Sequence, residues 1–87
     1  MIILRSKRFI KQMATMPQHL RRRALERINL LAKDESHPLL NNHELEGRYI
    51  GDRSINVSGD WRIVYTRIDP QTIYLRTIGT HHQLYGK

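Results

Sequence analysis

The sequence predicts an α+β fold: a short N-terminal strand, two helices, then a twisted antiparallel sheet with the helices packed on one face. Three observations lead there. A chain of 87 residues is long enough for one domain with a thin core, which we place at residues 1–87. Apolar residues recur at helical spacing in the first part of the chain and fall into β-rich runs in the second. The order, strand, helix, helix and then an antiparallel sheet, is that of an α+β domain with its helices on one face.

Ile2 to Arg5 reads as an edge strand. Ser6 can cap a helix whose apolar positions are Phe9, Ile10, Met13 and Met16. Pro17 suits the first turn of a second helix, where its missing N–H costs nothing. That helix carries a stripe of Leu20, Ala24, Ile28 and Leu31, with Arg21, Arg22, Arg23 and Arg27 mostly facing outward. It fades through Lys33 to Ser36, Pro38 closes it, and Leu39 to His43 is expected to be a loop. Arg48 to Ile50 and Ser54 to Val57 are short strand candidates around Gly51-Asp52. Trp61 to Ile68 and Thr72 to Ile78 are strong β runs joined by the turn sequence Asp69-Pro-Gln. Pairing Ile68 with Ile73 would put Val64, Ile68, Ile73 and Leu75 on the helix side, leaving Trp61, Ile63, Tyr65 and Arg76 on the other. Thr80 to Tyr85 forms a short tail with room for one helical turn.

Charge narrows the partners. The net charge is +7, and the excess is uneven: nine basic residues and one acid up to Lys33 give +8, and the remainder carries −1. Such a charge points to a polyanion: nucleic acid, an acidic protein or an anionic membrane, of which RNA is expected and an acidic protein as well. Eleven of the fifteen basic residues are arginine, whose planar guanidinium forks onto phosphate oxygens. There is no cysteine, so a disulfide framework and a cysteine zinc site are excluded, in keeping with a cytoplasmic location. No apolar run approaches the roughly 20 residues that span a bilayer. Met1 to Arg5 lacks the order of a signal peptide. No nucleotide-binding glycine loop, serine-hydrolase elbow or HExxH metal motif is present, and neighbouring His81 and His82 are poorly placed to share a metal. Neither a metal nor another cofactor is expected.

What remains is a set of proton-transfer and phosphate-binding residues: His43, Arg53, Asp60, Arg62, His81 and Tyr85. Metal-free RNA cleavage needs a base to take the 2′-OH proton, a cation to hold charge on phosphorus, and an acid to protonate the departing 5′-oxygen. Histidine suits either proton role and arginine the cation role. Each residue also has a plainer reading. His43 can cap a turn, Asp60 after Gly59 is an ordinary hairpin residue, and Trp61 can be core or a base-stacking platform. Arg62 and Arg76 can be solvated strand charges, and Tyr85 a pinned tail.

The segments His43-Glu-Leu-Glu-Gly47, Gly59-Asp-Trp-Arg-Ile-Val-Tyr65 and Ile78-Gly-Thr-His-His-Gln-Leu-Tyr-Gly86 resemble the RelE toxin superfamily, most of all its YafQ branch. The resemblance implies a RelE-like domain and the toxin of a type II toxin–antitoxin pair, an endoribonuclease cutting mRNA in the decoding site of the 70S ribosome. It implies His43 as general base, His81 as general acid, Asp60 as an active-site carboxylate, Tyr85 as an aromatic near the base, and Arg62 as the phosphate clamp. Arg21, Arg22, Arg23 and Arg27 would grip ribosomal RNA, with Arg53, Trp61 and Arg76 as further RNA contacts. The implied partners are mRNA, ribosomal RNA and a cognate acidic antitoxin, with no membrane and no small-molecule cofactor.

Two positions depart from the YafQ pattern. A second histidine of that branch is Asn56 here, which cannot take up a proton at neutral pH. An arginine expected four residues before the terminal histidine is Thr77, and Arg76 is displaced by one, which reverses its face unless a bulge intervenes. Two other functions fit the layout: a toxin of this fold acting on DNA gyrase, and a non-catalytic RNA-binding regulator.

Overall fold

In the computed structural model, which describes residues 1–86, the chain runs β1 (Ile2–Arg5), α1 (Lys7–Thr15), α2 (Gln18–Lys33), β2 (His43–Glu44), β3 (Arg53–Ser58), β4 (Trp61–Asp69), β5 (Thr72–Thr80) and α3 (His81–Tyr85). Lys87, counted in the expected domain, lies outside the described residues. The strands form one sheet in the order β1-β5-β4-β3-β2. Every neighbouring pair is antiparallel except β1 with β5, so the sheet is mixed. Helix α1 lies over β5 and α2 over β3. Among the described residues no helix is long and apolar enough to cross a membrane.

The helix boundaries follow from local chemistry. The Ser6 hydroxyl accepts the Phe9 N–H and caps α1. Pro17 caps α2 rather than entering it, its carbonyl accepting the N–H groups of Leu20 and Arg21. Phe9, Met13, Met16, Ala24, Ile28 and Leu31 bury their side chains as the helical spacing predicts. Ile10 does not: it is 53% exposed, on the outer side of α1.

The sheet corrects three expectations. His43 is a strand residue, because β2 pairs His43 with Ser54 and Glu44 with Arg53, while Pro38–Leu40 is a 3₁₀ turn. The segment from Arg48 to Ile50 is no strand: Gly47–Tyr49 is a 3₁₀ turn. Gly47 (φ +66°) and Gly51 (φ +92°) bracket it in left-handed backbone that glycine adopts without strain. The third correction is register. Ile73 pairs with Arg67, not Ile68, and the ladder slips at two places, leaving Ile68 and Arg76 unpaired as extra residues. Ile68 is therefore 55% exposed. Ile63 and Tyr65 join Ile55, Val57, Ile73, Leu75 and Ile78 in the core beneath the helices, and Val64 is buried on the opposite face.

The slip at Arg76 has its own support. Gln12 of α1 accepts the Ile78 N–H at 2.9 Å and exchanges hydrogen bonds with the Thr77 hydroxyl. Gln12→Ala leaves that amide without a partner and is expected to cost about 1–3 kcal/mol. A lowered urea midpoint with an unchanged m-value is the measurement that checks it.

Candidate functional site

The face away from α1 and α2 carries the alternate residues of β3 and β4: Ser54, Asn56, Arg62 and Val64. Helix α3 folds back onto this face, and its Leu84 stands over Gly79, where a Cβ would approach the Leu84 side chain to 3.4 Å. The fold-back has two anchors. Thr80 and Gln83 form a capping box at the start of α3, and the His81 N–H donates to the Asp60 carbonyl at 2.8 Å. Together these place His81 and Tyr85 beside Arg62 and β2, around a groove of about 470 Å³ lined by His43, Glu44, Leu45, Glu46, Arg62, His81 and Tyr85.

Arg62 is the fixed point of the groove. It is only 8% exposed; its Nε donates to the Ser54 hydroxyl at 2.9 Å and its Nη2 to the Asn41 carbonyl at 3.0 Å. Burial pulls its guanidinium below the usual arginine value, and the neighbouring Tyr85 hydroxyl acts the other way. The group stays cationic at neutral pH. A buried cation held from behind by neutral oxygens is a ready anion receptor, since among the described residues no carboxylate pairs with it. The Tyr85 hydroxyl adds to this: it is buried beside the guanidinium and, among the described residues, has no hydrogen bond of normal geometry. Its ring stands edge-on to those of His81 (4.8 Å between centroids) and Tyr49 (6.0 Å).

His43 is oriented by the same carbonyl that holds Arg62. Its Nδ1 lies 2.9 Å from the Asn41 oxygen, which can only accept, so Nδ1 carries a proton and, in the neutral ring, the lone pair is on Nε2. Arg62 Nη2 comes within 3.4 Å of Nδ1, a contact between two donors rather than a second hydrogen bond. Asn41 owes this carbonyl geometry to a left-handed conformation (φ 44°), tolerable for asparagine.

The structure thus brings together His43, Arg62, His81 and Tyr85 and leaves the other expected residues apart. Asp60 sits exposed in the β3–β4 turn and touches the site only through its backbone carbonyl. Trp61 packs partly buried against the core, which removes it as a base-stacking platform on the groove face. Arg53 bonds Asn42 at 2.7 Å and Glu44 at 3.5 Å outside the groove. Asn56 lies directly across the ladder from Arg62. The slip in β5 does restore Arg76 to the open face, where it pairs with the buried carboxylate of Asp52 at 3.4 Å. Thr77 points to Gln12 on the helix side. Of the helix arginines, Arg21 bonds the Met13 and Ala14 carbonyls, Arg27 the Leu39 carbonyl and Arg23 Glu26, while Arg22 is exposed. They form a separate basic surface. Missed entirely in the sequence were Asn41 and Ser54, which hold Arg62, and the groove residues Glu44, Leu45 and Glu46, although His43-Glu-Leu-Glu-Gly47 had been singled out for its histidine.

A larger cavity of about 840 Å³ lies beside the groove, lined among others by Glu35, Asn42, Glu44, Arg53 and Arg67. Its charges are already paired, Arg67 with Glu35 and Arg53 with Glu44, so it offers no free charge to a ligand. Among the described residues no three histidine, aspartate or glutamate side chains gather as a metal site.

The chain matches the family model for the bacterial toxin YafQ of type II toxin–antitoxin systems over residues 2–86. No curated protein sequence matches it. Among solved structures it is similar to YafQ from E. coli strain BL21(DE3), at 22% identity with 97% of each chain covered and a TM-score of 0.68. It is also similar to the RelB–RelE complex from Methanococcus jannaschii, at 24% identity, 94% of each chain and a TM-score of 0.71. The YoeB–YefM complex from Staphylococcus aureus aligns at 16% identity over 91% of this chain and 94% of that one, with a TM-score of 0.74. At these identities the likeness establishes a common RelE- and YoeB-like α+β fold.

Proposed function

The chain belongs to the YafQ family of toxins from bacterial type II toxin–antitoxin systems, and from that premise we propose that it is an endoribonuclease that cuts mRNA on the ribosome without a metal and so stops translation. The observation that carries this reading is the groove itself. Among the described residues it joins two histidines, a buried arginine with no carboxylate partner, and a buried tyrosine hydroxyl beside that arginine with no hydrogen bond of normal geometry. His43 Nε2 takes the 2′-OH proton, and the freed oxygen attacks the adjacent phosphorus. Arg62 holds the charge that develops on the phosphorane oxygens, and the Tyr85 hydroxyl donates to one of them. His81 protonates the 5′-oxygen as the P–O bond breaks, leaving a 2′,3′-cyclic phosphate. The required 2′-OH makes the reaction specific for RNA. Asp60 contributes by fixing the start of α3 through its carbonyl, and its side chain takes no part in the proton transfers.

The exposed basic residues of α2 would meet ribosomal RNA, and the site of action would be the cytoplasm. The relatives from M. jannaschii and S. aureus were solved in complex with RelB and YefM. For this chain the corresponding partner would be an acidic antitoxin, complementary to the +8 carried up to Lys33. Primer extension on cellular mRNA after brief induction tests the proposal. New 5′ ends are expected within coding regions for the wild type and none for His81→Ala. Intact mRNA together with relaxed plasmid DNA would favour gyrase as the target and contradict it.

A further inference from the structure

The larger cavity holds a chain of hydrogen bonds that the reaction as written does not use. Tyr65, whose ring is fully buried in the core, donates its hydroxyl proton to Glu35 at 3.1 Å and accepts from the Asn42 amide at 2.8 Å. The same amide group donates to the Glu35 carbonyl at 3.3 Å, and the Asn42 oxygen accepts from Arg53 Nε at 2.7 Å. Arg67 closes the chain on the Glu35 carboxylate. Every polar atom of the Asn42 side chain is therefore engaged, and residue 42 lies between the two residues that set the groove: Asn41, with its left-handed backbone and shared carbonyl, and His43.

We infer that Tyr65 and Asn42 are positioning residues for His43 and Arg62, acting from the far side of the sheet through the Asn41 carbonyl. The alternation of β2 makes this possible. His43 pairs with Ser54 on the groove side, Arg53 lines the cavity, and Glu44, paired with Arg53, borders both, so the short strand runs between the two spaces. Fixing Asn42 on the cavity side fixes the preceding peptide, and with it the acceptor that holds the Nδ1–H form of His43 and one arm of Arg62. The charges of the relay favour its persistence at neutral pH. Burial alone would raise the Glu35 carboxyl, but the hydrogen bonds from Arg67 and Tyr65 and the nearby positive charge outweigh it and hold it below the usual value. The link is then lost only as pH falls through that lowered value. Burial raises the Tyr65 hydroxyl, which keeps it a donor.

Tyr65→Phe removes one oxygen and keeps the ring, so the relay can be cut without emptying the core. The catalytic consequence rests on the nuclease reading; the structural one does not. The experiment follows the ring nitrogens of His43 by NMR together with single-turnover cleavage, in wild type, Tyr65→Phe and the packing control Ile55→Val. In folded Tyr65→Phe the His43 nitrogens are expected to move from the Nδ1–H pattern toward a mixture of tautomers. Cleavage is expected to fall roughly tenfold or more, since small misplacements of catalytic groups are costly. The Ile55→Val control is expected to keep both properties. His43 signals identical to wild type in folded Tyr65→Phe overturn the inference, whatever the cleavage rate. Shifted signals in a protein whose wild type cuts no RNA support the relay and contradict the nuclease reading instead.

Discussion

An Arg62→Ala protein is expected to cleave ribosome-bound mRNA about 10²–10³-fold more slowly than wild type, the loss typical of removing one donor aimed at transition-state charge. The expectation rests on how the arginine is held. Its Nε and Nη2 donate backward to Ser54 and Asn41, so the guanidinium is already placed before RNA arrives and needs no reorganisation during the reaction. With the side chain gone, the buried Ser54 hydroxyl loses its donor and the Asn41 carbonyl keeps only His43, which should also cost about 1–3 kcal/mol of stability. Rates are therefore compared at a temperature where circular dichroism shows both proteins folded. Arg62→Lys separates charge from geometry. A single ammonium cannot reach both acceptors and still present a fork to phosphate, so its rate is expected to fall between the other two. A lysine protein as fast as wild type would mean that charge alone is sufficient.

His81→Ala is expected to lose about 10²–10⁴-fold on ordinary RNA, the usual contribution of a positioned acid or base. The assignment of His81 as acid has a sharper consequence. If the bridging 5′-oxygen is replaced by sulfur, the leaving thiolate needs no proton, and most of the His81→Ala defect should vanish. His43→Ala, lacking the base, should remain defective on both substrates. The reverse pattern would exchange the two roles. Equal defects for His81→Ala on both substrates would remove it as the acid. The double variant is expected to be little worse than the poorer single one, because groups serving one proton-transfer sequence are not additive.

The order of helices and strands was legible in the sequence because amphipathic periods and caps act locally. Ser6 and the stripe of Ala24, Ile28 and Leu31 do what their spacing implies, and the tail from Thr80 forms the one helical turn it has room for. Register was not legible. The slips that leave Ile68 and Arg76 unpaired depend on distant partners such as Gln12, and no window of β4 or β5 contains them. The run Ile63-Val64-Tyr65 defeats alternation because all three are buried, Val64 on the face to which α3 returns. Strand β2 has two residues, too few to show a period, so His43 looked like a loop residue. For the site, residue types with obvious proton or phosphate chemistry could be picked out, and His43, Arg62, His81 and Tyr85 do line one groove. The residues that orient them could not. Asn41 acts through its backbone, Ser54 through a small hydroxyl, and Tyr65 from the opposite face, none of which carries a distinctive local signal. Asp60 and Trp61 entered as the D-W pair of the family resemblance, beside Arg62 in the chain. In a strand, adjacency means the opposite face, as it does for Trp61.

The central claim is that the groove uses the 2′-OH of RNA as nucleophile, with His43, Arg62 and His81 serving that displacement. Purified wild-type protein, 70S ribosomes and an mRNA carrying a single 2′-deoxynucleotide at the mapped cut site test it most directly. The account predicts cleavage of the all-ribose message to a 2′,3′-cyclic phosphate and no cleavage at the substituted position. Continued cutting at the deoxy site, or an all-ribose message left intact by folded toxin, would contradict it.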